Sequence, residues 1–421
     1  MSLPQEAGES DLGSVTARYS LGWLTAANAV GVLLAVLLLH PDAGRFLGGF
    51  SYGKWIPLHL NFQLYGWNAL PLVGLLFNRF LPDSPEANRQ ISRLFRCWSL
   101  VLLAGGLSWL MGESSGKIFL EWSGWPRLLL LGLLASLWFV LLAHRMRGKK
   151  KFAWPDDVLL LALASVPPAL FWASRPGVYP AINPASGGPT GVSLLGSSLG
   201  VLLVFGIVPR SLNLPRLCTN RTRWLGLLWS AHFLFFLVLE FTGHSRRYDV
   251  AALGTLLIWI PLVPAYTGSF AWTAVGKIWK HSFFFWWTAL VATGCLLFIP
   301  DFLQRAKFSN LLVAHSHLAM AGMLTSSGML ILVHLRGQVV AAVLAARREF
   351  WLWQGGLLLQ LLSLTTLGLL EGRAAFSFFH HGSIFQILLG LRLAGGLAML
   401  FASLVWFLRL NPPNICKDSV L

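Results

Sequence analysis

Three histidines, His59, His315 and His317, stand inside long apolar runs of the chain. A titratable ring is costly in such surroundings and is by default a functional group there. The last two lie one residue apart in the stretch LLVAHSHLAMAG, Leu311 to Gly322. Neutral imidazole is a ligand for iron, copper and zinc. On a helix, residues at i and i+2 point about 200° apart, so His315 and His317 do not bind one ion together. They can serve two centres on opposite faces of one helix. His59 is expected about one turn inside its own run, at a depth similar to that of His315 and His317, since each residue rises only about 1.5 Å. That pattern fits a haem held by two imidazoles between two helices. The same rings would also serve as hydrogen bonders between helices or line a polar cavity.

The elements that position these rings are read from the apolar runs. The 421 residues are 56% hydrophobic and 11% charged, with 20 tryptophans; a soluble domain carries about 25% charged residues. About twelve spans are expected, each near the ~20 residues that cross ~30 Å of hydrocarbon as a helix. They fall at Leu21–His40, Trp55–Phe80, Cys97–Gly112, Leu128–His144, Val158–Ser174, Gly191–Val208, Trp224–Phe241, Ala251–Phe270, Phe283–Ile299, Leu311–Leu335, Phe350–Leu370 and Ile384–Leu408. The chain reads as one all-α membrane domain over residues 1–421, with short loops and short terminal tails and without an internal repeat. Pro167, Pro168, Pro261 and Pro264 fall inside spans and predict kinks, which membrane bundles tolerate.

A net charge of +16 invites a nucleic-acid reading, but the basic residues collect on alternate connections. Arg79, Arg89, Arg93 and Arg96 form one group, Arg145, Arg147 and Lys149–Lys151 the next, and Arg210, Arg216, Arg221 and Arg223 the third. Lys277 and Lys280, then Arg336, Arg347 and Arg348, then Arg409 and Lys417 complete the series. By the positive-inside rule these connections and both termini are expected to be cytoplasmic, in a bacterial-type inner membrane, with lipid and not nucleic acid as the surrounding partner. The polar N-terminus MSLPQEAGESDLGS is unlike a cleaved signal peptide. Cys97, Cys218, Cys295 and Cys416 make no disulfide or metal motif. His40, His144, His281 and His334 fall near span ends and read as interfacial, and His232 as a hydrogen bonder between helices.

The chain resembles subunit I of the haem-copper oxidases, most closely the C-type (cbb-type) branch. PDAGRFLGGFSYGKWIPLHLNFQLYGWNAL is similar to that branch's first loop and second span. GESSGKIFLEWSGW is similar to its glutamate-containing segment after the third span. AHSHLAMAGML resembles the paired-histidine motif of its tenth span, and GLRLAGGLAML a stretch of its last. The resemblance runs from near residue 20 to near residue 408 and is weakest in the middle. It implies that His59 and His317 are the two axial ligands of a low-spin haem b and that His315 is the proximal ligand of a second, high-spin haem. Arg392 then faces a haem propionate or a polar cavity, or holds a helix carbonyl.

The family's copper ligands are a histidine in the sixth span and a consecutive pair in the seventh. Here GGPTGVSLLGSSLGVLLVFGIVPR has no histidine, with Pro189 or Thr190 at the expected place, and EFTGHSRRYDV offers His244 followed by Ser245. Hydroxyls are poor ligands beside imidazole. Val238 stands where the catalytic tyrosine is expected, and Tyr248 comes after His244 instead. Glu240 reads as a replacement ligand or as a partner of Arg246 or Arg247. His380 and His381 lie before the last span, outside the expected copper position.

These readings lead to a haem b-binding subunit for respiratory electron transfer or complex assembly, with copper not expected and no catalytic residue assigned. Its expected partners are a c-type cytochrome and other oxidase-like subunits. The alternatives are an active terminal oxidase or nitric oxide reductase with an atypical second metal at His244, and a cofactor-free transporter.

Overall fold

A computed structural model describes residues 11–148, 154–175, 177–178, 194–242, 250–297, 299–335, 338–371 and 382–411. They are helical, and no strand occurs among them. In chain order the helices are α1 Leu12–Leu39, α2 Tyr52–Asn61, α3 Ala69–Phe80, α4 Pro85–Leu110, α5 Pro126–Met146 and α6 Trp154–Ala164. There follow α7 Val166–Ala173, α8 Leu194–Ser211, α9 Thr219–Thr242, α10 Val250–Gly268, α11 Ala274–Leu296 and α12 Pro300–Ala306. The last are α13 Asn310–His317, α14 Thr325–Leu332, α15 Gln338–Leu344, α16 Arg347–Glu371 and α17 Ser383–Leu410.

Hydrocarbon offers backbone groups no partners, so apolar runs of this length close their hydrogen bonds internally as helices. Among the described residues, six stretches are long and apolar enough to cross a membrane: Leu12–Leu39, Pro85–Leu110, Pro126–Met146, Trp154–Ala173, Arg347–Glu371 and Ser383–Leu410. The fold is therefore an all-helical bundle of the membrane type.

Local signals set the ends. The Asp11 carboxylate accepts from the Ser14 amide at 2.7 Å and starts α1 nine residues before the expected Leu21. Ser84 caps α4 through the Ala87 amide, with Pro85 in the first turn, so this helix begins well before Cys97 and carries Arg89, Arg93 and Arg96 on its polar first half. The fifth expected span is broken at Ser165 between α6 and α7, just before Pro167. By contrast, α10 continues through Pro261 and Pro264 without a break. Short helices at Pro41–Leu47, Pro300–Ala306 and Gln338–Leu344 occupy connections between the expected spans.

Two spans contain a widened turn. Phe62–Asn68 joins α2 to α3 as π-helix, and Leu318–Leu324 joins α13 to α14 in the same way. Such segments are uncommon and collect at functional sites. The core is rich in tryptophan: Trp67, Trp98, Trp109, Trp122, Trp259, Trp279, Trp353 and Trp406 are fully buried. Several anchor their indole N–H groups across helices, as Trp67 does to the Thr325 hydroxyl at 2.8 Å and Trp98 to the Tyr65 carbonyl at 2.8 Å. One apolar cluster joins α1 and α3 to the helices from α8 onward, and a second joins α1 to α2–α6. α1 belongs to both, and α2 runs beside it.

Candidate functional site

His59 lies in the last turn of α2, and His317 closes α13 directly before its π-turn. Their ring centres are 6.2 Å apart, with planes 29° from parallel. Two imidazoles bound through Nε2 on opposite sides of one metal ion, with bonds of about 2.0–2.1 Å, have ring centres roughly 6 Å apart.

The hydrogen bonds fix which nitrogen is available. His59 Nδ1 meets the Ala27 carbonyl of α1 at 2.9 Å, and His317 Nδ1 meets the Val313 carbonyl at 2.8 Å. A carbonyl only accepts, so each Nδ1 carries the proton. In the neutral ring the lone pair then sits on Nε2. This is the arrangement that orients a metal-ligating histidine.

His315 is held on the other side of its helix. Its Nδ1 lies 3.1 Å from the Thr293 hydroxyl of α11. That hydroxyl gives its own proton to the Ala289 carbonyl at 2.8 Å, so it accepts from His315 and again leaves Nε2 with the lone pair. The divergence expected from the two-residue spacing is thus present: His317 goes to α2 and His315 to α11.

His334 shows the contrasting case. Its Nδ1 donates to the Leu330 carbonyl at 2.8 Å, but its Nε2 accepts from the Thr273 amide at 3.2 Å. Both nitrogens are occupied, which makes it a structural residue. His144 meets the Gln90 side chain at 2.9 Å, while His40 and His281 are exposed. His232 packs edge-on against Trp259 at 5.9 Å, and its Nδ1 has no partner among the described residues.

The two histidine-bearing spans share one local design. In α1 the order is Trp23, then Gly31 eight residues on; the facing span has His59, then Gly66 seven residues on. In α11 the order is Trp286, then Gly294, again eight on; the facing span has His315, then Gly322, again seven on. Each π-turn glycine lies under a tryptophan. A Cβ on Gly66 would sit 2.8 Å from Trp23, and one on Gly322 would sit 3.0 Å from Trp286. Each second glycine faces the imidazole: a Cβ on Gly31 would meet His59 at 2.7 Å and one on Gly294 would meet His315 at 3.6 Å. The tryptophan fixes the height of one helix on the other, and the glycine opens room for the ring.

Polar groups surround the pair. Arg392 of α17 is close enough to act electrostatically on both His59 and His317, and it also interacts with Tyr52 and Glu371. Glu371 binds the start of α13, accepting from the Asn310 amide at 2.8 Å and from its side chain at 2.5 Å. One turn past His59, Gln63 donates to Asn28 at 3.0 Å, and Asn28 donates to Ser403 at 3.1 Å.

For the second metal, the described residues contain no group of three or more His, Cys, Asp or Glu placed to hold an ion. His244, Ser245, Arg246, Arg247 and Tyr248 lie outside the described residues, as do Pro189, Thr190, His380 and His381. Val238, at the expected tyrosine position, is exposed on α9. Models of known protein families and curated proteins give no match to this chain.

Gly31, Gly66, Gly294, Gly322, Trp23, Trp286 and Thr293 escaped the sequence reading. The signal for the first six was the recurrence of the Trp-to-Gly and His-to-Gly spacings in paired runs. Thr293 left none, because a threonine in an apolar helix ordinarily bonds its own backbone.

Proposed function

We propose that the chain is a haem b-binding membrane protein built like subunit I of the haem-copper oxidases, with about twelve spans, that carries electrons or supports assembly and has lost the copper centre. The observation that carries this reading is the pair His59 and His317, at 6.2 Å between ring centres with both Nε2 lone pairs left available.

The residues present fit the group. Two imidazoles suit a six-coordinate iron, which exchanges single electrons without binding a substrate. The guanidinium of Arg392 would balance the carboxylates such a group carries. Gly31 keeps the seat of His59 open, and the Ala27 and Val313 carbonyls hold the two rings in the ligating tautomer. Both termini would be cytoplasmic, in a bacterial-type inner membrane, and a c-type cytochrome on the outer side would be the electron partner.

His315 supports a second reading, because its Nε2 is also free and no second imidazole stands opposite it among the described residues. A five-coordinate haem there, with an atypical metal at His244, would make the protein an active terminal oxidase or nitric oxide reductase. Optical spectra of the purified protein, oxidised and reduced, with and without carbon monoxide, test both readings when taken with iron and copper content. One haem that does not bind carbon monoxide, without copper, is the expected result. Two haems, carbon monoxide binding and a second metal would establish the enzyme instead. A protein without a Soret band would leave the cofactor-free transporter.

A further inference from the structure

Where α4 leads into α5, three cations gather about one aromatic ring, that of Phe171 near the end of α7. The Arg127 guanidinium, from the first turn of α5, lies over this ring at 4.5 Å, and that of Arg175 lies over it at 5.7 Å. The third cation is Lys117 of the α4–α5 connection, whose side chain is buried. Its ammonium donates to the Ala173 carbonyl at 2.8 Å and to the Arg175 carbonyl at 2.5 Å. Burial, and after it the Arg127 charge, push this ammonium below the usual lysine value.

A structural role accounts for Lys117, because a cation at the end of α7 meets carbonyls that no later turn of the helix satisfies. Nothing similar accounts for the two arginines. Neither side chain has an ion pair or a hydrogen bond among the described residues, and Arg127 Nε is shielded from water without a partner. The carboxylates of the same connection are turned elsewhere: Glu121 accepts from Asn61 at 2.8 Å, and Glu113 lies beside Gly124. Like charges gathered in this way repel one another, and an anion from outside the chain relieves them.

The surroundings select the anion. Trp125 and Trp172, which flank the cluster in sequence, are each 53% exposed, and Leu128 is exposed at the start of α5. Exposed indoles beside apolar helices mark the depth where hydrocarbon meets water. An anion at that depth, with a tail to cover the apolar flank of α5, is a phospholipid. Its phosphodiester oxygens match the planar donor edge of a guanidinium.

We propose that Lys117, Arg127 and Arg175 form a head-group site for an anionic phospholipid, whose phosphate accepts from the terminal nitrogens of the two arginines. Its acyl chains run down α5 beside Trp125 and Leu128. On the orientation proposed above the lipid belongs to the outer leaflet, on the side where the positive-inside rule places fewer cations. The site does not depend on the haem reading.

The test is native mass spectrometry of the full chain in detergent, titrated with phosphatidylglycerol or with phosphatidylcholine. The variants are Arg175→Gln, Arg127→Gln combined with Arg175→Gln, and, as a control, Lys54→Gln combined with Arg305→Gln. The parent is expected to retain one phosphatidylglycerol in preference to phosphatidylcholine. Each guanidinium removed is expected to weaken that binding about fivefold, and the control pair to leave it unchanged. Arg175 is exposed, so Arg175→Gln keeps the fold and carries the test should the double variant fail to fold. No preference for phosphatidylglycerol, or equal losses in the control and in the double variant, overturns the proposal. Displacement of the lipid by millimolar inorganic phosphate overturns it in favour of a free-anion site. Exclusion of phosphatidylglycerol by an acidic companion chain that stays bound through purification overturns it in favour of a protein contact.

Discussion

His59 and His317 come from different spans, and each donates its Nδ1 proton to a backbone carbonyl, of Ala27 and Val313 respectively. The proton location follows from the acceptors alone, and with it the direction from which a metal would be bound. His315 reaches the same protonation state through a different acceptor, the Thr293 hydroxyl. The three rings are thus chemically alike but face different helices, His59 and His317 each other and His315 α11. His59→Ala and His317→Ala are each expected to abolish the spectrum of a six-coordinate haem b, because one imidazole leaves a coordination position open. His315→Ala is expected to leave that spectrum intact. Reduced-minus-oxidised optical spectra of the three variants decide the matter, and loss of the six-coordinate signal in His315→Ala would refute the pairing.

Gly31 and Gly294 occupy equivalent positions in the two modules, yet they do not give equal room. At Gly31 a methyl group would press on the His59 ring at 2.7 Å, whereas at Gly294 the contact to His315 would be an ordinary 3.6 Å. Overpacking of this kind forces shifts that cost about 1–3 kcal/mol, and His59 can yield only by straining its bond to Ala27. Gly31→Ala is therefore expected to alter the low-spin haem spectrum as well as lower thermal stability. Gly294→Ala should change neither by much. A Gly31→Ala protein with a parental spectrum would show that the glycine does not position the ring.

The apolar runs were legible because a chain in lipid has one economical way to satisfy its backbone, and each expected run overlaps a helix. The three central histidines were legible for the related reason that an imidazole in such a run needs an explanation. Their partners were not. The Ala27 and Val313 carbonyls carry no side-chain signature, and Gly31 and Trp23 acquire meaning only when α1 is laid against α2. The start of α4 was missed because its first half is polar and its signal is a Ser84–Pro85 cap, not hydropathy. The π-turns after His59 and His317 leave no mark in composition. Their one trace is the glycine that lets a tryptophan lie against each.

Arg79 at the end of α3 and Asp156 at the start of α6 form a two-pronged ion pair, with both bonds at 2.6 Å. Asp156 is buried, at 6% exposure, and Arg79 also reaches Asn213 beyond α8 at 3.2 Å. Removing one partner of a buried pair strands the other charge and costs about 3–5 kcal/mol. Arg79→Ala should lower thermal stability much more than Arg145→Ala, whose partner Asp157 is half exposed and whose pair is screened by solvent. Melting of both variants in the same detergent checks the ranking, and similar losses would show that the buried pair does not tie α3 to α6.

Glu121 links stability to pH in a way that a surface carboxylate would not. Burial raises its pKa from 4.5 to about 7, opposed in part by the hydrogen bond from Asn61. The folded state therefore keeps this proton over a window in which the unfolded chain has released it. Where the folded state binds more protons, stability falls as pH rises. The group's penalty is absent below about pH 4.5, grows through the window and is complete above pH 7. At about 1.36 kcal/mol per pH unit it amounts to roughly 3 kcal/mol. Glu121→Gln keeps the acceptor for Asn61 and removes the ionisation, so its melting temperature relative to the parent should rise between pH 5 and pH 8. A difference that stays constant across that range would mean that Glu121 ionises as freely in the fold as in the unfolded chain, and that water reaches its carboxyl.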